Sequence, residues 1–506
     1  MFPQARGGQQ RKLMRKRKLR REDGFVIGRA DLENTGEEGA HSLVDRIFLR
    51  VSAAIRGRRI GTGTRMPSVR QLAQDCQISR DTAARAYDKL VAHGLLESRP
   101  GSGYYVRAPA VRSASQQPLA RPSLFYPHGL AEVTRLRLAL QHPAPGLASQ
   151  SGIGTLPEDW IAEAGIASAL RTVARGSQRR LARHGEAQGY LPLRQQLQLK
   201  LQDAGIPAGA ANIIVTSGAT EALGLVVQAF LRSEGEHVLV EQPCQPLLVD
   251  RLMSSGLQPV AVARLDDGPD IDALRTLCMK YRPRYFFCTS VLHNPTGSSM
   301  APHKAFQILR MAEEFDLTIV EDDTYGDLVP HHGGPAATRL APLDQLQRVI
   351  HVGSFSKTLA PGLRVGYLAA TAERIEWMAT YRALHCIAAN SLAERTVYRL
   401  LSDGSYRHQC GLLRARLAQA HPAVAEAARA AGLHVGSTAN AGLFLWADAG
   451  PGVDALALSR RLLEQGHLVA PGCLFSSAHP SFLRLNVAAA QAGGALEAIA
   501  ALLRQR

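Results

Sequence analysis

The chain has 506 residues, 46% of them hydrophobic, and a formal net charge of +16. At roughly 100–200 residues per domain, this length implies two or three domains. It contains no apolar run long enough to span a bilayer and no apolar stretch behind its basic N-terminus of the kind a secretory signal needs. Its seven cysteines are scattered without metal-ligand spacing, which argues against a disulfide scaffold or zinc module and points to the reducing cytoplasm.

The positive charge is uneven. Residues 41–108 carry a net +7 and residues 1–40 a net +4, so the rest of the chain holds only +5. A basic end joined to a near-neutral body is the electrostatic footprint of a nucleic-acid-binding module. Residues 1–40 include "RKLMRKRKLRR" (11–21) and are expected to form a basic, disordered tail. In "HSLVDRIFLRVSAAIRGRR" (41–59), Val44, Ile47, Phe48, Val51 and Ile55 fall on one helical face. In "MPSVRQLAQDC" (66–76), Ser68 is the predicted N-cap and Val69, Leu72 and Cys76 face inward. "SRDTAARAYDKLVAHG" (79–94) starts at a capping Ser79, buries Ala83, Ala86, Tyr87, Leu90 and Val91, and ends at Gly94. "LLESRPGSGYYV" (95–106) reads as strand, tight turn at Pro100 and Gly101, strand. Three helices followed by a hairpin make a winged helix-turn-helix over residues 41–106. Residues 107–127, rich in Pro, Ser, Ala and Gln, suit a linker.

From 128 to 506, helical stripes alternate with short apolar runs at 212–217, 237–243, 285–291, 317–323, 348–354 and 365–370. The pattern is that of an α/β domain with a doubly wound, mostly parallel sheet. The chemistry-bearing motifs fall just after these runs, where ligands of open α/β sheets bind. "TSGATEALGL" (216–225) opens a helix, and Ser217, Gly218, Ala219 and Thr220 aim N–H groups and hydroxyls at an anion. "HNPTG" (293–297) fixes the Asn294 amide in a turn, and "EDDTY" (321–325) sets Asp322 and Tyr325 at a strand end. "SFSKTLAPGLRVGY" (354–367) holds one lysine, Lys357, framed by Ser354 and Ser356 and followed by Arg364. "FLRLNVA" (482–488) puts Arg484 inside an apolar strand.

Together these residues match what pyridoxal 5'-phosphate (PLP) requires. Lys357 would form a Schiff base with the aldehyde, its pKa lowered by neighbouring cations. Asp322 would face the ring nitrogen and keep it protonated. Asn294 and Tyr325 would meet the phenolic oxygen. Ser354, Ser356, Arg364 and the 217–220 helix start would hold the phosphate. Arg484 would take the carboxylate of an amino-acid-like ligand in fork geometry.

Residues 63–106, "GTRMPSVRQLAQDCQISRDTAARAYDKLVAHGLLESRPGSGYYV", resemble the DNA-binding head of the GntR family of bacterial transcription regulators. The resemblance implies that the helix opened by Ser79 enters the major groove of an operator, where Arg80 and Thr82 meet bases or phosphates. Arg70 would meet a phosphate, and Arg99 and Gly101 of the wing would enter a minor groove. Asp81 departs from this pattern, placing an acid in the recognition helix. The second half resembles the fold-type I aminotransferases, and the whole chain the MocR subfamily of GntR regulators. This implies a regulator first, with an aminotransferase half-reaction left chemically open. It also implies a head-to-tail homodimer on double-stranded DNA that senses PLP or an amino compound through the Lys357 aldimine. Two departures stand out. His184 occupies the place of a tyrosine that reaches the partner subunit's phosphate, and its charge varies with pH. Cys244 and Gln245 follow Pro243 where an aromatic ring normally stacks on the pyridine.

Overall fold

Hydroxyl caps fix where the first helices begin. The computed structural model describes residue 29 and residues 42–57, 59–99, 101–107, 130–176, 182–231, 235–330, 337–436, 441–491 and 493–505. Ser42, Ser68 and Ser79 each accept from a backbone N–H three residues on, and each opens a helix: α1 (Leu43–Arg56), α2 (Val69–Cys76) and α3 (Arg80–Ala92). Such caps satisfy N–H groups that a helix start leaves without partners. A hairpin follows, β1 (Leu96–Arg99) paired antiparallel with β2 (Gly103–Val106). Ile47, Val51, Leu72, Cys76, Ala83, Ala86, Tyr87 and Leu90 are buried in one core, with Val44, Phe48, Ile55, Val69 and Val91 packed against it. This is the apolar stripe expected from the sequence. Gly94 lies just past α3 at φ +69°, a conformation that favours glycine. The expected tail, Arg29 apart, and all of the linker beyond residue 107 lie outside the described residues.

The chain divides into two compact units, Met1–Pro122 and Ser123–Arg506. The larger one enters through α4 (Leu130–Gln141). Its main sheet comprises β3 (Ile213–Thr216), β4 (His237–Gln242), β5 (Gln258–Leu265), β6 (Gly268–Pro269), β7 (Tyr285–Cys288), β8 (Thr318–Asp322), β9 (Val349–Ser354) and β10 (Gly366–Ala369), in the order β3-β10-β9-β8-β7-β4-β5-β6. The central pairs β5–β4–β7–β8–β9 are parallel. The inner strands β4, β7, β8 and β9 bury both faces, as parallel strands do, whereas β5 is largely exposed. Leu239, Phe286, Ile319 and Val349 enter one core, and Val240, Phe287, Val320 and Ile350 the other.

The sheet is mostly parallel, as expected, with antiparallel pairing at β10 and at β6. β10 is antiparallel to both β9 and β3. Only residues 355–365 join β9 to β10, too few for the helical crossover that parallel pairing needs. The run containing Arg484 lies in a separate antiparallel sheet: β11 (His434–Val435), β12 (Phe444–Asp448), β13 (Ala470–Pro471) and β14 (Phe482–Asn486). Among the described residues no helix is long and apolar enough to cross a membrane, and no side-chain cluster is suited to a metal ion.

Candidate cofactor site and nucleic-acid interface

In the smaller unit, Arg70, Ser79, Arg80 and Arg99 are exposed and Thr82 is partly so. The Ser79 hydroxyl accepts from the Thr82 N–H at 3.0 Å and meets the Thr82 hydroxyl at 2.8 Å. Both side chains are therefore engaged in starting α3. Arg99 is also engaged, bridged to Glu97 at 2.5 Å and stacked 4.4 Å over the Tyr105 ring. Arg80, exposed at the start of α3, has no such partner among the described residues. Gly101 sits at φ +73° with open space around it, so this turn needs glycine for its backbone and not for room.

In the larger unit one cavity of about 600 Å³ gathers Lys357, Asn294, Asp322, Tyr325, Ser354, Ser356, Arg364, Ala219, Thr220 and Arg484. Strand ends position most of them. Asp322 ends β8, Ser354 ends β9, and Lys357 lies in the turn that follows β9. The helix beginning after Gly218, α5 (Ala219–Phe230), supplies Ala219 and Thr220. Ser217 lies just outside this wall and lines an adjoining cavity with Thr220 and Arg364. Its N–H is already taken by the Glu221 carboxylate, a pairing the motif alone did not disclose. Gly218 stands at φ +86°, and a Cβ there would lie 2.9 Å from the Arg364 guanidinium. His184 is exposed and outside this wall; its sequence assignment was to the cavity of a second copy.

The Lys357 amine donates to the Gly154 carbonyl at 2.5 Å. Its pKa falls to about 8. Burial is the largest cause, ahead of the Arg484 charge, so the neighbouring cations named from the sequence are the smaller part. Asp322 Oδ1 accepts from the Thr324 N–H at 3.1 Å and from its hydroxyl at 2.5 Å, while Oδ2 accepts from the Gln245 amide at 3.3 Å. Burial raises this carboxyl, with the Thr324 donors opposing. Burial likewise pushes up the Tyr325 phenol.

Arg484 is 6% exposed and lies between the rings of Phe444 and Phe475, 4.2 and 4.8 Å from their centroids. It donates to Asn294 Oδ1 at 2.8 Å and to the Gly152 carbonyl at 2.6 Å, and its Nε has no partner among the described residues. No carboxylate pairs with it among the described residues, and burial lowers its pKa to about 10. The Gly152–Gly154 stretch that both cations grip is laid along the small sheet. Gly152 donates to Leu468, and Asn486 donates to Ser151. Sequence reasoning missed this stretch. A Cβ on Gly154 would lie 3.7 Å from Lys357 Nζ and 4.0 Å from an Arg484 nitrogen.

A buried network supports the Asn294 turn. Arg264 meets Glu241 at 2.5 Å with both side chains almost fully buried, and donates to the Thr289 carbonyl and Ser298. The other Glu241 oxygen accepts from the Thr289 N–H and lies 3.7 Å from His293.

Residues 152–502 match the family described as aminotransferase class I and II, and residues 43–106 match the bacterial regulatory proteins of the gntR family. The chain is 30% identical to the HTH-type transcriptional regulator TauR of Rhodobacter capsulatus over 448 residues, 86% of this chain and 90% of that protein. This chain belongs to the MocR subfamily of GntR regulators. As a MocR-type protein it is a transcription regulator that joins a GntR helix-turn-helix to an aminotransferase-like domain of fold type I. The same domain resembles enzymes. It is 29% identical to the 2-aminoadipate transaminase of Thermus thermophilus, covering 71% of this chain and 90% of that one. The structure of α-aminoadipate aminotransferase LysN from Thermus thermophilus, complexed with N-(5'-phosphopyridoxyl)-L-leucine, superposes with a TM-score of 0.65 at 26% identity. It covers 74% of this MocR-type chain and 96% of that one.

Proposed function

We propose that this regulator binds PLP in the Lys357 cavity and that occupancy of the cavity by PLP, or by an amino compound acting on it, controls operator binding by the winged helix. One observation carries the reading. A half-buried lysine with its pKa lowered to about 8 shares a cavity with Asp322, Asn294, Tyr325, Arg364 and an arginine that has no carboxylate partner among the described residues. These residues fit the cofactor. Bound PLP supplies an aldehyde that bonds to amines and a ring that takes up electrons.

The chain's own groups do the rest. At neutral pH part of Lys357 is unprotonated and nucleophilic. Asp322 offers an acceptor to the ring nitrogen, and Asn294 and Tyr325 offer donors to the phenolic oxygen. Arg364, Ser354, Ser356 and the start of α5 offer donors to the phosphate. Arg484, with Nε free among the described residues, offers a fork to a ligand carboxylate. The regulatory role is primary. The protein acts as a cytoplasmic homodimer on double-stranded DNA, with Arg80 and Arg70 of the exposed head reaching the operator.

The test is a visible absorption spectrum of the purified protein titrated with PLP, beside Lys357→Ala. A band in the wild type alone supports the reading; no band in the wild type overturns it. Operator affinity is then measured with and without PLP and candidate amino acids. Affinity and footprint unchanged by every ligand would rule out control through this cavity. Steady turnover of an amino acid with an oxo-acid would make it an enzyme first.

A further inference from the structure

Gln245 opens α6 (Pro246–Ser254), yet its side chain caps no N–H of that helix. The amide turns instead to Asp322 Oδ2, 77 positions away in sequence. The other carboxylate oxygen already serves both donors of Thr324. Gln245 and Asp322 both line the cavity, so the amide and the carboxylate are both within reach of a ligand there. Oδ1 already accepts two bonds, so Oδ2 is the oxygen that a protonated ring nitrogen entering this cavity would take. The amide also stabilises the carboxylate as an anion, which makes it a weaker base toward the ring nitrogen.

We propose that Gln245 sets cofactor affinity: its amide competes with the ring nitrogen of PLP for Asp322, so PLP is held as an exchangeable ligand and its free concentration is what the regulator reads. The inference rests on the cofactor reading above and assigns the regulation of that same site. It makes a directional claim, because a side chain that merely positioned Asp322 for the ring would help PLP binding, whereas a competitor opposes it.

The experiment titrates full-length protein with PLP, following the visible band, for the wild type, Gln245→Met and Gln245→Leu. Methionine keeps the length of glutamine and removes both N–H donors. Removing one competing hydrogen bond to a charged group should tighten PLP binding roughly 3- to 30-fold and slow its release to match. The same three proteins are titrated with a phosphorylated hydroxybenzaldehyde of equal shape that lacks the ring nitrogen, followed by protein fluorescence. Here the wild type and variants should bind equally, since the nitrogen is where the amide competes. Tighter PLP binding by both variants with no gain for the benzene analogue supports the proposal. Equal or weaker PLP binding by Gln245→Leu and Gln245→Met overturns it and leaves the cofactor reading standing, as does an equal gain for the analogue. Failure of all three proteins to bind PLP removes the cofactor reading and this inference with it.

Discussion

The charge of Arg484 should be measurable at Lys357. Both cations lie within 4.0 Å of one point beside Gly154, so they stand less than about 8 Å apart. At that separation two positive charges repel by ~0.5–2 kcal/mol for effective dielectric constants between bulk water and a protein surface, or about 0.4–1.5 pKa units. Arg484→Met removes the charge while keeping an apolar stem between Phe444 and Phe475. The Lys357 pKa should then rise from about 8 toward the ordinary lysine range. The sign for reactivity follows directly. Only the neutral amine attacks an aldehyde, so the rate rises with pH and levels off above the pKa. The assay mixes protein with PLP and follows the growth of the visible band across pH 6 to 10. The wild-type rate should be half-maximal near pH 8, and that of Arg484→Met about one unit higher. The midpoint is the readout because Arg484→Met also disturbs Asn294, which changes the amplitude and leaves the sign of the shift intact. A midpoint that stays in place or moves down would refute the Arg484 contribution and leave burial, with Arg364, to account for the low pKa.

The remaining predictions concern the head and the support beneath the cavity. Arg80→Ala should weaken binding to a specific operator by about 1–3 kcal/mol in fluorescence anisotropy and leave the PLP absorption band unchanged. Loss of both would make Arg80 a structural residue. Arg264→Met leaves Glu241 charged and buried without its partner, and burial already raises the Glu241 carboxyl. It should cost the larger unit about 3–5 kcal/mol, seen as a lower thermal midpoint. Replacing Glu241 by leucine in the same chain should recover much of the loss, and an unchanged melt for Arg264→Met would refute the pairing.

Much of this architecture was legible in the sequence because it is written in local patterns. The serine caps, the 3.6-residue stripes of the head and the motifs at strand ends each need only a few neighbouring residues to be read. Contacts between distant residues were not legible. Nothing local to Lys357 says that its amine meets Gly154, and nothing local to Gln245 points to Asp322. Glu221 was legible as a helix residue but not as the group that occupies the Ser217 N–H. The direction of β10 was hidden for another reason. An apolar run looks alike in both orientations, and only the short 355–365 connection decides between them. Arg99 shows a different case. Glu97 lies two positions away on the same strand face, yet the sequence reading sends Arg99 to a minor groove and does not see this pairing.

The grip of Lys357 and Arg484 on the Gly152 and Gly154 carbonyls has a consequence for how a signal leaves the cavity. Chain connectivity runs from the winged helix into α4 and then directly into this stretch. The atoms that would capture a ligand therefore tether the stretch that follows α4 in the larger unit. On the proposed function, a bond made at the Lys357 nitrogen would draw that amine off the Gly154 carbonyl, and a carboxylate bound at Arg484 would compete with the Gly152 carbonyl. Loading the cavity would thus loosen the hold on residues 152–154, at the end of the larger unit nearest in sequence to the DNA-reading head.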